Sequence, residues 1–311
     1  MRLVQGVKFR GCHMPKTHAG MQPIPHTTPS PLTMTQLFTL PIPITSAMQS
    51  HPGTLTLSIP NPEHPTLYLL TFHSPPDNRL TTSFCQALLL ALDILEFSYP
   101  PGVLVTTSSI GKFYSNGLDL EHASSTPGYW EKSLFAVWKR FLTYPMPTIS
   151  LLNGHAFAGG LMTAMYHDYR IFNPSRGFLC LNELEFGAPL KPPMSSIFRQ
   201  KLPSPHVYRS LVLEAKRFNG ADALAGGLVD GLGGWNEVVA FVAERKLAEK
   251  GKSGVYGVLK AEMWRESLGY LEGFEQGEER DKVWAKSEDV RIEEGKKRVA
   301  EWEKNSKKSK L

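Results

Sequence analysis

Two glycine-containing loops carry the residue types that an active site needs. The first is KFYSNGLDL, Lys112 to Leu120, directly after a short apolar segment. The second is LNGHAFAGGLMTA, Leu152 to Ala164, where a strand signal passes into a helical one. Gly159 and Gly160 allow a backbone to approach a ligand closely. The start of the following helix leaves unpaired N–H groups and a partial positive charge. Such a site can hold an anion or a developing oxyanion. Neither loop is a P-loop or a dinucleotide-binding fingerprint. Each by itself also reads as a tight turn at an α/β junction.

The surrounding segments say how these loops are carried. TLTLSI (Thr54–Ile59) alternates polar and apolar residues like a half-buried strand, and TLYLLTF (Thr66–Phe72) gives a second strand signal. Thr81 or Thr82 can cap a helix through SFCQALLLALDILEF, which Pro100 and Pro101 end. GVLVTTSS and TISLLN read as strands, and Trp130–Tyr144 and LMTAMYHDYR as helices, with RIF opening another strand. Strands alternating with helices through short loops imply an α/β fold with right-handed crossovers. From about Val238 the sequence turns into an amphipathic, densely charged helical stretch spaced by Trp264, Trp284 and Trp302.

Taken in order, NRL (Asn78–Leu80), KFYSNGLDL, PMPTISLLNGHAFAGG and RSLVLEAKRFNGADALAGGLVD (Arg209–Asp230) resemble the enoyl-CoA hydratase/isomerase, or crotonase, family over roughly residues 54–240. The resemblance implies a spiral of ββα turns followed by helices that drive trimer formation. It implies an acyl-CoA thioester substrate whose oxygen is held by two backbone N–H groups, matching Leu118 and Gly159. Ser115, Asn116, Gly117, Asp119, Leu120 and Gly160 are then expected around the substrate. Here Ala158-Gly159-Gly160 stands where many members have three glycines. No metal or redox cofactor is implied, coenzyme A being part of the substrate, and the ten histidines show no metal spacing.

The choice of acid or base follows from the same resemblance. Hydratases of the family use two glutamates. Met162 occupies the position of the first and can neither accept nor deliver a proton. Glu183, in LCLNELEFG, matches the second, and its LNE triplet is similar to that of the Δ3,Δ2-enoyl-CoA isomerases, which use a single carboxylate. Desolvation beside an acyl tunnel would raise its pKa, which suits a base that must also donate. Glu185 is the rival: on a strand, residues two apart share a face. Asp119 reads as a cap and Asp168 as a salt-bridge partner. His155, Phe113 and Tyr114 read as packing or pocket lining, and Lys112 and Lys191 are candidates to meet the CoA phosphates.

Composition bounds the rest. The 311 residues are 41% hydrophobic and 20% charged, enough for a sizeable core. The net charge is +5, but residues 1–50 hold four basic residues and no acidic one, leaving 30 basic against 29 acidic residues elsewhere. A nearly neutral domain does not fit a nucleic-acid partner. Three widely spaced cysteines argue against a disulfide framework, and no apolar run is long enough to span a membrane. The expected organisation is a disordered Pro/Ser/Thr-rich extension over 1–50, an acyl-CoA-binding core over 51–240, a helical region over 241–308, and a targeting tripeptide over 309–311. Ser309-Lys310-Leu311 is a peroxisomal import address. It implies an import receptor as a partner and the peroxisome matrix as the location. The assembly expected from the resemblance is a homotrimer or a dimer of trimers.

Overall fold

A computed structural model describes residues 34–308. Ten strands are assigned: β1 Thr35–Ile42, β2 Gly53–Ile59, β3 Leu67–His73, β4 Val103–Ser108, β5 Phe113–Ser115, β6 Thr148–Leu152, β7 His155–Phe157, β8 Tyr169–Phe172, β9 Leu179–Cys180 and β10 Gly231–Leu232. Helices α1 Thr82–Ser98, α2 Leu120–Ser125, α3 Phe135–Thr143, α4 Gly159–Tyr166, α5 Glu183–Phe186 and α6 Pro192–Lys201 alternate with them. The chain then becomes helical as α7 Pro205–Leu213, α8 Gly220–Ala225, α9 Trp235–Glu244, α10 Leu247–Lys250, α11 Tyr256–Met263, α12 Arg265–Glu272 and α13 Phe274–Lys308.

The large sheet runs β1-β2-β3-β4-β6-β8-β10, and a small parallel sheet runs β5-β7-β9. The first three strands are antiparallel; from β3 onward every pair is parallel. Each successive turn of the chain gives one strand to each sheet and then a helix: β4, β5, α2; β6, β7, α4; β8, β9, α5. This is the expected ββα spiral. The parallel strands β4 and β6 are buried along their whole length, as strands covered on both faces must be. Val103, Val105, Ile149 and Leu151 pack against Val238, Phe241 and Val242 of α9 on one side. Leu104 faces the larger core, with Leu88 and Leu92 of α1 and Trp138 of α3.

Several expectations change at the boundaries. Of the extension expected over residues 1–50, residues 1–33 lie outside the described residues, and the remainder contains β1, which pairs with all of β2 from Thr35↔Ile59 to Ile42↔Gly53. Pro41 hides this strand in the sequence, because an edge strand tolerates the missing donor that a central strand does not. Beyond it, Ser46 and Gln49 are buried. GHAFAGG is not only a turn, since His155–Phe157 is the middle strand of the small sheet. The helix expected through YHDYR ends at Tyr166, and Tyr169 already belongs to β8. The helix expected from Trp130 opens with a π-helical turn, Trp130–Leu134. Thr81 is confirmed as the cap of α1, accepting from the Phe84 N–H at 3.4 Å.

Asp168 is the ion-pair partner that its setting in the sequence suggests. It accepts from the Thr148 N–H at 2.9 Å and pairs with Lys260 of α11 at 2.9 Å, both side chains being buried. The ion pair ties the C-terminal helices to the start of β6. The tripeptide 309–311 lies outside the described residues.

Removing residues 1–50 takes away β1, the fully buried Ile42 and the Ser46 hydroxyl that bonds Asp119. Burial of one such isoleucine is worth about 1.5–3 kcal/mol. At about 2–4 °C per kcal/mol, the truncated chain is expected to melt about 3–12 °C lower in a calorimetric scan. An unchanged transition would show that β1 contributes nothing to the fold.

Candidate active site

A cavity of about 590 Å³ opens between the two glycine loops, α5 and the start of α6. Its wall includes Leu118, Gly159 and Glu183, together with apolar Ala123, Trp130, Met162 and Met194. The structure therefore brings both expected N–H donors and the expected carboxylate to one space.

The first loop is held by the NRL segment. Gly117 O accepts from the Leu80 N–H at 2.9 Å, and Leu118 O accepts from Arg79 Nη1 at 2.7 Å. Asn78 is fully buried; its Nδ2 donates to Tyr114 O at 3.0 Å, and its Oδ1 accepts from the Ser74 N–H at 2.7 Å. These bonds occupy the loop's carbonyls and leave the Leu118 N–H with no acceptor among the described residues. The Gly159 N–H, at the first position of α4, is likewise free.

The two loops touch through glycine. Gly117 has φ +81°, and a Cβ there would stand 2.9 Å from Gly159 N and 3.0 Å from Phe157 O. Ala158 caps α4 with φ 49°, a conformation that costs an L residue about 1–3 kcal/mol. Behind the turn, Thr163 Oγ1 donates to Gly159 O at 2.8 Å and accepts from Trp138 Nε1 at 2.8 Å. His167 Nδ1 donates to Thr163 O at 3.0 Å, so its Nε2 accepts from Thr106, which in turn accepts from Tyr114. Burial lowers the His167 pKa to about 3, so the ring stays neutral and the direction of this chain is set. Neither Thr163 nor Trp138 stood out in the sequence, because a threonine inside an apolar helix carries no spacing signal.

Glu183 opens α5, a single helical turn ended by Gly187 at φ +72°. Its side chain is buried, and Oε2 has no hydrogen-bond partner among the described residues. Burial without a counter-charge pushes its pKa up to about 7. The neighbouring Asn182 Oδ1 also lacks a partner and lines the same cavity. Glu185 does not share this space. The segment is helical rather than extended, so residues two apart point about 200° away from each other. Glu185 is instead exposed and pairs with Arg217 at 3.5 Å.

Of the residues expected around the substrate, Asn116 and Leu120 line the cavity. Ser115, Gly117, Asp119 and Gly160 form its supports instead. Ser115 Oγ donates to Asn78 O at 2.8 Å and accepts from the Gly117 N–H at 3.2 Å. Asp119 caps α2 and accepts from Ser46. Gly160 leaves room for Ser115, whose Cβ would lie 2.8 Å from an added methyl. Tyr114 is buried behind the site and Phe113 packs on His155, so neither is part of the wall. Lys112 also lies off it, over the Phe113 ring. Lys191 does line the cavity, where it pairs with Glu278 of α13 and sits 5.2 Å from the Trp130 ring. Among the described residues no cluster of His, Cys, Asp and Glu could hold a metal ion, and no helix is long and apolar enough to cross a membrane.

Residues 63–306 match the family described as enoyl-CoA hydratase/isomerase, and the chain belongs to that family of enzymes, with its crotonase fold. Within the family it resembles the enoyl-CoA isomerases. It is 32% identical over 212 residues to enoyl-CoA delta isomerase 3 of Arabidopsis thaliana, covering 64% of this chain and 89% of that relative. It is 32% identical over 219 residues to the same plant's peroxisomal enoyl-CoA delta isomerase 2, covering 66% and 91%. Among solved structures, human mitochondrial delta3-delta2-enoyl-CoA isomerase shares the fold at a TM-score of 0.58 and 24% identity, over 68% of this chain and 84% of that one.

The raised pKa makes a stability statement. An unfolded glutamate titrates near 4.5 and folded Glu183 near 7, so the folded state holds the proton more tightly. Stability is full below the unfolded value and falls as pH rises to about 7, by on the order of 3 kcal/mol. Glu183→Gln removes this loss. Denaturant titrations at pH 4.5 and pH 8 should show the variant gaining on wild type at the higher pH; an equal difference at both would sink the assignment.

Proposed function

We propose that this protein is a Δ3,Δ2-enoyl-CoA isomerase that moves the double bond of a 3-enoyl-CoA into conjugation so that β-oxidation can continue. The observation that carries this reading is a lone buried carboxylate, Glu183, with an unpartnered oxygen in an apolar cavity whose wall also includes Leu118 and Gly159, the two residues whose N–H groups have no acceptor among the described residues.

The chemistry follows from that arrangement. The thioester oxygen accepts from the two N–H groups. Glu183 takes a proton from C2; the electrons of that C–H bond form a C1=C2 double bond as the carbonyl pair moves onto oxygen, giving a dienolate conjugated with the C3=C4 bond already present. The oxygen's new negative charge meets donors already in place, which need no reorganisation. Glu183 then returns the proton at C4. One carboxylate serves both carbons because they lie along one face of one acyl chain. Its pKa near the working pH makes it competent both as base and as acid. Met162 in the cavity wall offers no second proton carrier, which disfavours addition of water. The reaction needs no redox cofactor, since no electron leaves the substrate, and the two N–H donors fill the role that a Lewis-acid metal would otherwise have.

Purified protein incubated with 3-enoyl-CoA, in the presence of a chelator, should produce the conjugated 2-enoyl thioester, seen by its ultraviolet absorbance. Glu183→Gln should lose about 10²–10⁴ in rate. Glu185→Gln should not. In wild type, kcat/KM should fall about tenfold per pH unit below about 7, because the base must be ionised. A fully active Glu183→Gln variant, or water addition to 2-enoyl-CoA at a comparable rate, would overturn the reading. The second result would favour a hydratase.

The same proposal places the enzyme in the peroxisome matrix, delivered by the import receptor that reads Ser309-Lys310-Leu311. The peroxisomal designation of the plant relative supports it. A fluorescent protein fused to the N-terminus should show punctate peroxisomal signal, and removal of the three residues should disperse it. Retention in peroxisomes after the removal would refute the address.

A further inference from the structure

The cavity wall is divided in polarity. Arg79 and Asn116 stand beside the first loop, whereas Ala123, Trp130, Met162 and Met194 make an apolar surface. A coenzyme A thioester divides in the same way, with an apolar tail and a polar coenzyme, so the tail belongs against the second group. One cation interrupts that surface. Lys191 lines the cavity with its Nζ 5.2 Å from the ring centroids of both Trp130 and Phe274, and it pairs with Glu278 of α13. A hydrocarbon tail offers an ammonium no hydrogen bond in exchange for that partner.

The backbone beneath Lys191 is fixed. Pro192 and Pro193 follow it and hold it extended, at ψ 156°, as the N-cap of α6. The surrounding segment is a partition between two spaces. Ala188, Pro189, Lys191 and Met194 face the acyl cavity, while Leu190, Pro192 and Ser195 face a polar cleft of about 270 Å³. Arg280 and Asp281, in the turn of α13 that follows Glu278, line the same cleft. The movable part of this partition is the Lys191 side chain, a flexible stem of four methylenes. Among the described residues its one ion-pair partner is Glu278.

We propose that Lys191, latched by Glu278, ends the acyl cavity and sets the length of acyl chain that the enzyme takes. Chains that stop short of the ammonium lie against apolar wall. Longer ones must turn Lys191 aside, break its pair with Glu278 and push methylenes into a polar cleft. This assignment rests on the acyl-CoA reading of the site, and it makes Lys191 a specificity determinant rather than a contact for the CoA phosphates.

The test is calorimetric titration of the full-length protein with saturated acyl-CoA thioesters of four to sixteen carbons, which bind without isomerising. Wild-type affinity should rise about fourfold per methylene and level off where the tail reaches Lys191. Lys191→Ala should move the levelling point by about four carbons, the length of stem removed. The longest thioesters should then bind about 10²-fold more tightly than to wild type. Glu278→Ala, at a residue outside the cavity wall, should move the point in the same direction. Circular dichroism on both variants checks that they fold. One levelling point shared by wild type and both variants would overturn the proposal, as would wild-type affinity that climbs through the whole series. A shift in Lys191→Ala alone would remove Glu278 as the latch. Because the ligands are saturated, a length limit in a protein that does not isomerise 3-enoyl-CoA would sink the isomerase reading and keep this one. Binding of no thioester would sink both.

Discussion

Gly117 and Gly159 approach one another more closely than any side chain allows, and the rest of the site depends on that contact. A Cβ on Gly117 would press on the Gly159 nitrogen itself. The contact sets two backbone N–H groups beside one cavity and denies both of them an internal acceptor. Free donors at a helix start are ordinary; free donors in an apolar pocket are costly to maintain. Three carbonyls beside them, those of Gly117, Leu118 and Gly159, are engaged elsewhere, by Leu80, Arg79 and Thr163.

The same logic separates Glu183 from the other buried charges. Asp168 has Lys260, and Arg170 has Asp230 at 2.7 Å. Those pairs fasten α11 to the sheet and β8 to the chain before β10, and their charges are neutralised locally. Glu183 has no such partner, and its pKa rises accordingly. A carboxylate left unpaired in an apolar wall is a stability cost that structure alone does not require. Its proton affinity near neutrality is what makes it useful for moving protons.

The spiral supplies the geometry that makes these features coincide. Every turn contributes one strand to each sheet, so β5, β7 and β9 bring three successive loops to one edge. Those loops carry Leu118, Gly159 and Glu183. The small sheet is only two or three residues per strand, yet it sets the register of the whole site. Its neighbour relations are stiffened from behind by the Tyr114–Thr106–His167–Thr163 chain, which joins β5, β4 and α4.

By itself the sequence determined the alternation of strands and helices and the two glycine loops, and through its family resemblance it singled out Met162 in place of a second glutamate and Glu183 as a base with Glu185 as its rival. The first two are local: they depend on residue types at short spacing, and each is written in a segment of about ten residues. Tertiary structure decided what spacing cannot encode. Pro41 disguised β1, because only the strand's edge position makes a proline tolerable there. The Glu183–Glu185 question turned on whether four residues form a strand or a helical turn, which local pattern leaves open for so short a segment. Ser115, Asp119 and Gly160 proved to be supports rather than wall, since which side of a loop faces a cavity depends on what packs behind it. The roles of Asn78, Arg79, Trp138 and Thr163 were invisible for the same reason. They act through hydrogen bonds across tens of residues, and only the folded chain brings those partners together.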